Sequence, residues 1–158
     1  MLCRLENITG GQSLPTSTLT PLEFTTIKIN AIGSQLGTSA PWTEIPVFFE
    51  ATYIITATVG LDAGTTGQRT IVIQAYSGGW YDIGSAYAGA GGTAPGIKTV
   101  NAMAIARLTP SFDEKVRVCV WHNQGTSITT AAAGSSRHLR ADMILKHWKT
   151  AWPPIWVR

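Results

Sequence analysis

Charged side chains and cysteines are both scarce in this chain of 158 residues. Charged residues make up 13% of it and apolar residues 44%, whereas roughly a quarter of the residues in soluble domains are usually charged. A surface with so little charge is expected to be partly hidden by homo-oligomerisation. The two cysteines, Cys3 and Cys119, are too far apart along the chain for a disulfide framework or a zinc motif. We therefore expect an oligomer in which Cys119 is a buried free thiol.

The sequence also lacks the segments that direct a protein to a membrane, to export or to a nucleic acid. No apolar run approaches the ~20 residues of a membrane helix. Residues 1–7 have neither the basic region nor the apolar run of a secretion signal. The net charge is +3, but the basic residues are scattered and form no continuous stripe with stacking aromatics. We expect a product of a reducing cytoplasm that binds neither membranes nor nucleic acids.

Catalytic and metal-binding motifs are missing as well. Neither Gly-x-Ser-x-Gly nor His-Glu-x-x-His occurs. His122, His138 and His147 lie in or beside predicted strands without an accompanying nucleophile or orienting group. Only Asp62 and Asp82 lie near glycine-rich turns, which is too few carboxylates for calcium. We expect a protein that is not an enzyme and that holds no metal and no cofactor.

The chain does contain many short segments in which apolar residues alternate with period two. The clearest is Phe48 to Val59, in which Phe49, Tyr53, Ile55 and Val59 share one side. Glycine, proline and asparagine turns separate it from other such segments, and no helical stripe is present. The pattern predicts an all-β sandwich or jelly roll over residues 23–147. Its further strands are predicted at 24–31, 68–77, 80–87, 99–108, 115–122, 126–131 and 137–147.

The two ends of the chain lack this alternation. Residues 1–22 are rich in Ser, Thr, Gly and Pro and are predicted to form an extended N-terminal arm. Residues 148–158 are predicted to form a C-terminal arm, because adjacent prolines lack backbone donors and hold the chain extended. Its aromatic side chains are costly to leave in water, so it packs either on its own domain or on another chain. Its binding residues are predicted to be Trp148, Trp152, Pro153, Pro154, Ile155 and Trp156.

Several segments carry a resemblance to a known family. An aromatic strand is followed by a short turn and a second strand, then by a threonine- and alanine-rich strand, a Val-x-Val-x-Val strand and a closing strand that begins with Ser. This order resembles the C1q/TNF-like jelly-roll family, including its many bacteriophage virion members, although Thr52 stands where a Gly is common. The matching segments are Phe48–Val59, Gln68–Ile73, Thr99–Ile105, Val116–Val120 and Ser136–Leu145.

The resemblance implies a C1q/TNF-like jelly-roll sandwich that assembles as a compact homotrimer. Val116, Val118 and Val120 share one face of their strand, and its other face also carries apolar side chains. Strands that are apolar on both faces are expected where one face meets the core and the other a partner. We predict a trimer interface that includes Tyr53, Arg117, Cys119 and Trp121. The alternative is a loop that covers this face.

The resemblance also implies a function. The first hypothesis is a structural protein of a bacteriophage virion, made in the host cytoplasm and located on the capsid surface. It would be a trimeric decoration or cement protein whose arms bind the major capsid protein or another virion protein. The alternative is a fibre-tip trimer that binds a receptor or a glycan through Trp80, Tyr81 and Tyr87, which lie around glycine turns. A soluble trimeric ligand of a cellular receptor is a third hypothesis, which the missing export signal disfavours.

Overall fold

The computed structural model describes residues 3–7, 10–30, 40–47, 49–61, 67–88, 98–110, 114–131 and 146–148. All regular elements in this part of the chain are strands, so the prediction of an all-β protein is confirmed. Within the same residues there is no helix long and apolar enough to cross a membrane. The strands are β1 (Cys3–Glu6), β2 (Ser13–Leu14), β3 (Thr20–Pro21), β4 (Thr26–Asn30), β5 (Ile45–Pro46), β6 (Ala51–Leu61), β7 (Arg69–Tyr76), β8 (Trp80–Ala88), β9 (Lys98–Leu108), β10 (Lys115–His122), β11 (Ile128–Thr129) and β12 (Lys146–Trp148).

Two antiparallel sheets form the body of the sandwich. Sheet I has the order β3-β10-β7-β8, and β5 also pairs with β10. Sheet II has the order β12-β6-β9. Two shorter pairs, β1 with β4 and β11 with β2, complete the described structure. Apart from the hairpin of β7 and β8, neighbouring strands in both sheets come from distant parts of the chain, as in a jelly roll.

The core lies between the two sheets and is built from alternate residues of the long strands. In β6 the side chains of Tyr53, Ile55 and Val59 are buried. The alternate residues Thr52, Ile54, Thr56 and Thr58 lie on the other face of the strand and are only half-buried. Full burial of one large apolar side chain contributes about 1.5–3 kcal/mol. Sheet I supplies the facing residues, which are Ile71, Ile73, Ala75, Val116, Val118 and Val120.

Small residues bring the two sheets together along β8 and β9. A Cβ atom placed on Gly84 would lie 2.7 Å from the carbonyl oxygen of Met103 and 2.8 Å from the Cβ of Ala104. Small side chains flank this point on both strands, so backbone meets backbone with only methyl groups between them. The residues that face the core there are Gly84, Ala86 and Ala88 of β8 and Ala102, Ala104 and Ala106 of β9.

The prediction of an N-terminal arm over residues 1–22 is wrong for the part that is described. In place of an arm, β1 pairs with β4, β2 with β11 and β3 with β10. Leu5 and Leu14 are fully buried in the core. Left-handed residues at Gly10, Gly11 and Ser17 turn the chain between these strands. Strands of two residues are too short to show a period in the sequence, so this segment looked irregular.

At the C-terminal end, the structure describes Lys146–Trp148 as β12, which pairs with Ile54 to Thr52 of β6. The strand therefore continues to Trp148, one residue past the predicted domain boundary at 147. The rest of the predicted strand 137–147, including His138, lies outside the described residues. So do residues 149–158, which hold the remainder of the predicted C-terminal arm.

Both cysteines are buried and neither forms a disulfide, which confirms the expectation for Cys119. The Cys119 side chain lies on the outer face of sheet I, where its Sγ is 3.5 Å from Oε1 of Gln74. Burial raises the pKa of this thiol to about 11; nearby Arg117 opposes the rise and Asp82 adds to it. The fold therefore favours the neutral thiol well into the alkaline range.

We expect Gly84→Ala to lower the free energy of unfolding by about 1–3 kcal/mol, because the new methyl group must push β8 away from β9. Urea unfolding at a fixed protein concentration measures the change. Gly79→Ala is the matched control, since nothing lies within 4 Å of the position of its Cβ. It is expected to change stability by less than about 0.5 kcal/mol. Equal effects of the two substitutions would contradict the close contact between β8 and β9.

The raised pKa of Cys119 predicts a loss of stability in alkali. Below about pH 9 the thiol is neutral in both the folded and the unfolded chain, so the contribution of Cys119 to the free energy of unfolding is fully present. Between about pH 9 and about 11 the unfolded chain ionises its thiol while the folded protein keeps it neutral, so this contribution is lost. We expect Cys119→Ala to flatten the fall in melting temperature over this range relative to the wild type. Thermal unfolding at a series of pH values checks the slopes, and identical slopes for the two proteins would refute the prediction.

Candidate binding surfaces

Among the described residues, the large aliphatic side chains with the greatest exposure lie on the outer face of sheet II. Met103 and Ile105 of β9 are 61% and 63% exposed. Each lies opposite a residue of β6 on the same face, Met103 opposite Thr56 and Ile105 opposite Ile54. The result is an apolar strip over the middle of both strands, which we call the sheet II strip. It consists of Ile54, Thr56, Met103 and Ile105.

Polar residues border this strip at both ends. Asn101 lies opposite Thr58 at one end. At the other end Arg107 forms an ion pair with Glu50. β9 pairs with β6 on one side only among the described strands, so it is an edge strand of the sheet. A long edge strand with exposed apolar side chains is an aggregation risk unless another surface covers it.

The structure contradicts two of the predicted trimer-interface residues. Tyr53 is 3% exposed and belongs to the core, where its hydroxyl donates a hydrogen bond to the carbonyl oxygen of Phe49 at 2.6 Å. Burial is the main cause that raises the pKa of Tyr53. Cys119 is fully buried within the protomer. Neither side chain is available to a neighbouring subunit. Tyr53 lies on the face of β6 that meets the core, which the alternation of a strand cannot show from sequence alone. Cys119 lies on the outer face of sheet I, where neighbouring residues of the protomer cover it.

Arg117 and Trp121, the other two predicted interface residues, are half-buried on the outer face of sheet I. There the guanidinium of Arg117 lies over the ring of Trp80, 3.8 Å from its centroid. Its Nε donates to Oε1 of Gln74 at 2.9 Å, and Nε2 of Gln74 donates to Oδ1 of Asp82 at 2.7 Å. A polar row therefore crosses three neighbouring strands on this face. For Arg117 and Trp121 the interface assignment stays a prediction.

The structure separates the three aromatic residues that were predicted to face a ligand. Trp80 packs edge-on against Tyr76 at 5.2 Å between centroids, and Arg117 covers one face of its ring. Tyr81 lies opposite core-facing Ala75, whereas Tyr87 lies opposite Thr70 on the outer face. Tyr87 is 74% exposed.

A β-bulge explains why Tyr81 and Tyr87 lie on opposite faces. Their separation of six residues would put both on one face of a regular strand. The pairing of β7 with β8 shifts between Ile73 and Gln74, which inserts Ile83 as an extra residue. The sequence signal for this shift is Gly84, which follows the inserted residue, since an isolated glycine within a strand is typical of a bulge.

Among the described residues, no side chains are grouped as in a catalytic or metal site. These residues contain no group of three or more His, Cys, Asp or Glu side chains that could hold a metal ion. The side chain of His122 is fully buried, with Nε2 2.8 Å from the carbonyl oxygen of Leu14. A histidine held in this way caps a backbone group inside the fold. That the protein is not an enzyme stays a prediction.

Among the predicted arm residues, Trp148 is described only through its backbone, which pairs with Thr52. The others, Trp152, Pro153, Pro154, Ile155 and Trp156, lie outside the described residues. What they contact is therefore a matter for the functional proposal.

Comparison with known proteins finds a likeness in structure but none in sequence. No protein-family model matches the chain, and no curated protein matches it. The structure of Eiger TNF from S. frugiperda is similar, with a TM-score of 0.60 at 11% sequence identity. The match covers 99% of this chain and 97% of that one. At this identity the likeness shows the fold, and the chain has a TNF-like jelly-roll fold.

Proposed function

We propose that the protein is the subunit of a homotrimer and that the sheet II strip forms its subunit interface. The observation that carries this proposal is the exposure of Met103 and Ile105 beside Ile54 on one face. An apolar centre with a polar border is the usual composition of a protein interface. The proposed interface differs from the one predicted from the sequence, because Tyr53 and Cys119 are buried within the protomer and Arg117 and Trp121 lie on the outer face of sheet I.

Trimer formation offers a physical remedy for the exposed edge of sheet II. Full burial of a side chain such as Met or Ile contributes about 1.5–3 kcal/mol, and a trimer buries three copies of the strip. The ion pair of Arg107 with Glu50 at the end of the strip can remain in contact with water, where its desolvation costs little. The TNF-like fold is compatible with this arrangement.

For the role of the trimer, we propose a structural protein of a bacteriophage virion, a decoration protein on the capsid surface. The resemblance of the strand pattern to virion members of the C1q/TNF-like family supports this role. A further support is the sequence of residues 148–158, in which Trp152, Ile155 and Trp156 offer apolar anchors next to two prolines. Proline reduces the entropy lost when such an arm is ordered on a partner.

The proposed attachment relies on the C-terminal arm alone. Residues 3–7 and 10–22 belong to the sandwich and are not free to reach a neighbouring protein. Tryptophan anchors are enriched among the residues that dominate binding energy, and three arms on one trimer multiply a weak contact through effective concentration. The partner is proposed to be the major capsid protein or another virion protein. No catalytic step, metal or cofactor is part of the proposal.

Substitution within the sheet II strip tests the trimer. We expect Met103→Asp combined with Ile105→Asp to convert a trimer into a folded monomer, because three charged pairs cannot be buried against each other without partners. Light scattering coupled to size-exclusion chromatography measures the mass, and far-ultraviolet circular dichroism checks the fold.

Leu19→Asp serves as the control, since it places a single carboxylate of the same kind on a 38% exposed apolar residue next to β3 of sheet I. This variant is expected to remain a trimer. A wild-type protein that is monomeric at every concentration would refute the trimer. A doubly substituted variant that stays trimeric would refute the proposed interface.

Deletion of residues 151–158 tests the arm. This truncation leaves β12 intact, so the fold and the trimer are expected to persist while attachment to phage particles is lost. Co-sedimentation with the particles measures attachment, and Trp152→Ala with Trp156→Ala in the full-length chain distinguishes the anchors from chain length. Unchanged attachment would exclude the arm as an anchor, and dissociation of the trimer would show that the arm packs within it.

A further inference from the structure

The outer face of sheet I combines aromatic rings with a fixed polar row, and we refer to it as the sheet I platform. Its side chains form successive rows across β10, β7 and β8, as the strand register requires. Arg117, Gln74 and Asp82 form one row, and Trp121, Thr70 and Tyr87 form another. The two rows are four residues apart along β10, which corresponds to roughly 13 Å.

The polar row is held in place and keeps unused hydrogen-bonding capacity. Gln74, only 6% exposed, binds Nε of Arg117 with its oxygen and Oδ1 of Asp82 with its nitrogen. Stacking over Trp80 further restricts the guanidinium of Arg117. These bonds use one N–H of the guanidinium and one oxygen of the carboxylate. The remaining N–H groups and the second carboxylate oxygen can therefore serve a ligand as donors and acceptor.

The aromatic row offers flat apolar surface to the same ligand. Tyr87 is 74% exposed, and Trp121 is partly exposed on the far side of Thr70. Thr70 of β7, a small residue, lies between the two aromatic residues. Ser85, which lies opposite Val72, occupies the space between the aromatic and the polar row on β8 and adds an exposed hydroxyl.

We propose that the sheet I platform binds an oligosaccharide, with the apolar face of one pyranose ring on Tyr87 or Trp121 and the hydroxyl groups of a neighbouring sugar unit on Asp82 and Arg117. A sugar has both an apolar C–H face and hydroxyls that donate and accept, which matches an aromatic ring beside a carboxylate and a guanidinium. An apolar protein surface would strip water from Arg117 and Asp82 without replacing it. A nucleic acid would meet the carboxylate of Asp82, which repels phosphate.

This inference depends neither on the trimer nor on the virion role. The platform lies on the opposite side of the sandwich from the sheet II strip, so both surfaces can be occupied at once. Within the described residues, the platform is separate from the buried contact between β8 and β9, because Gly84 and Ala86 alternate with Ser85 and Tyr87.

An array of neutral hexose and N-acetylhexosamine oligosaccharides, together with their sialylated forms, tests the proposal on the full-length protein. We expect binding to at least one oligosaccharide and a loss of about tenfold or more in affinity for Tyr87→Ala and for Trp121→Ala. Tyr81→Ala is the matched control, because it removes the same side chain from the same strand but on the other face. It is expected to bind as the wild type does.

Asp82→Asn is a second variant, in which a loss of binding cannot be attributed to misfolding. Asparagine keeps the oxygen that accepts from Gln74, so the fold is retained while the carboxylate is removed. Weaker binding by this variant supports the proposal. Absence of binding to every oligosaccharide overturns it, as does binding that survives both Tyr87→Ala and Asp82→Asn. Binding of the platform to a protein but to no sugar overturns it equally.

Discussion

The close approach of β8 to β9 is the constraint on which the arrangement of the molecule depends. Where these strands meet, Gly84 leaves no room for a side chain between the backbone of one sheet and Ala104 of the other. Around this point the core-facing positions of both strands hold only glycine and alanine, and the large residues beside them point away from the core. Met103 and Ile105 lie on the outside of sheet II and Tyr87 on the outside of sheet I for this reason. One tight contact inside the sandwich therefore accounts for the outward position of these three side chains.

How much of this could be predicted from the sequence depended on the length of each strand. β6, β7, β9 and β10 have 8 to 11 residues, and their period-two pattern was long enough to place them correctly. Strands β2 and β3 have 2 residues each, which is too few to show a period of two. Residues 1–22 were therefore predicted to form an arm. Leu5 and Leu14 are buried, but each stands as a single leucine among polar neighbours, and a strand cannot be assigned from single apolar residues.

The candidate sites were harder to predict than the strands that carry them. The alternation in β6 separated Tyr53 from Ile54, but only the facing sheet decides that Tyr53 is inside and Ile54 outside. In β8 a single inserted residue, Ile83, reverses which residues face outward. The polar row of Arg117, Gln74 and Asp82 joins residues that are 8 and 43 positions apart. Such contacts depend on register, which a sequence without an alignment does not reveal.

The two proposals assign assembly and recognition to opposite faces of the sandwich. In the proposed trimer the sheet II strip faces the three-fold axis, so the sheet I platform of each subunit faces outward. Three outward platforms at fixed spacing suit a ligand that repeats along a surface, because several weak contacts act together once the first has formed. The fixed polar row lowers the entropic cost of each contact, since Gln74 already holds Arg117 and Asp82 in place. In these proposals one face of the sandwich serves self-association and the other binds a ligand, so neither contact competes with the other.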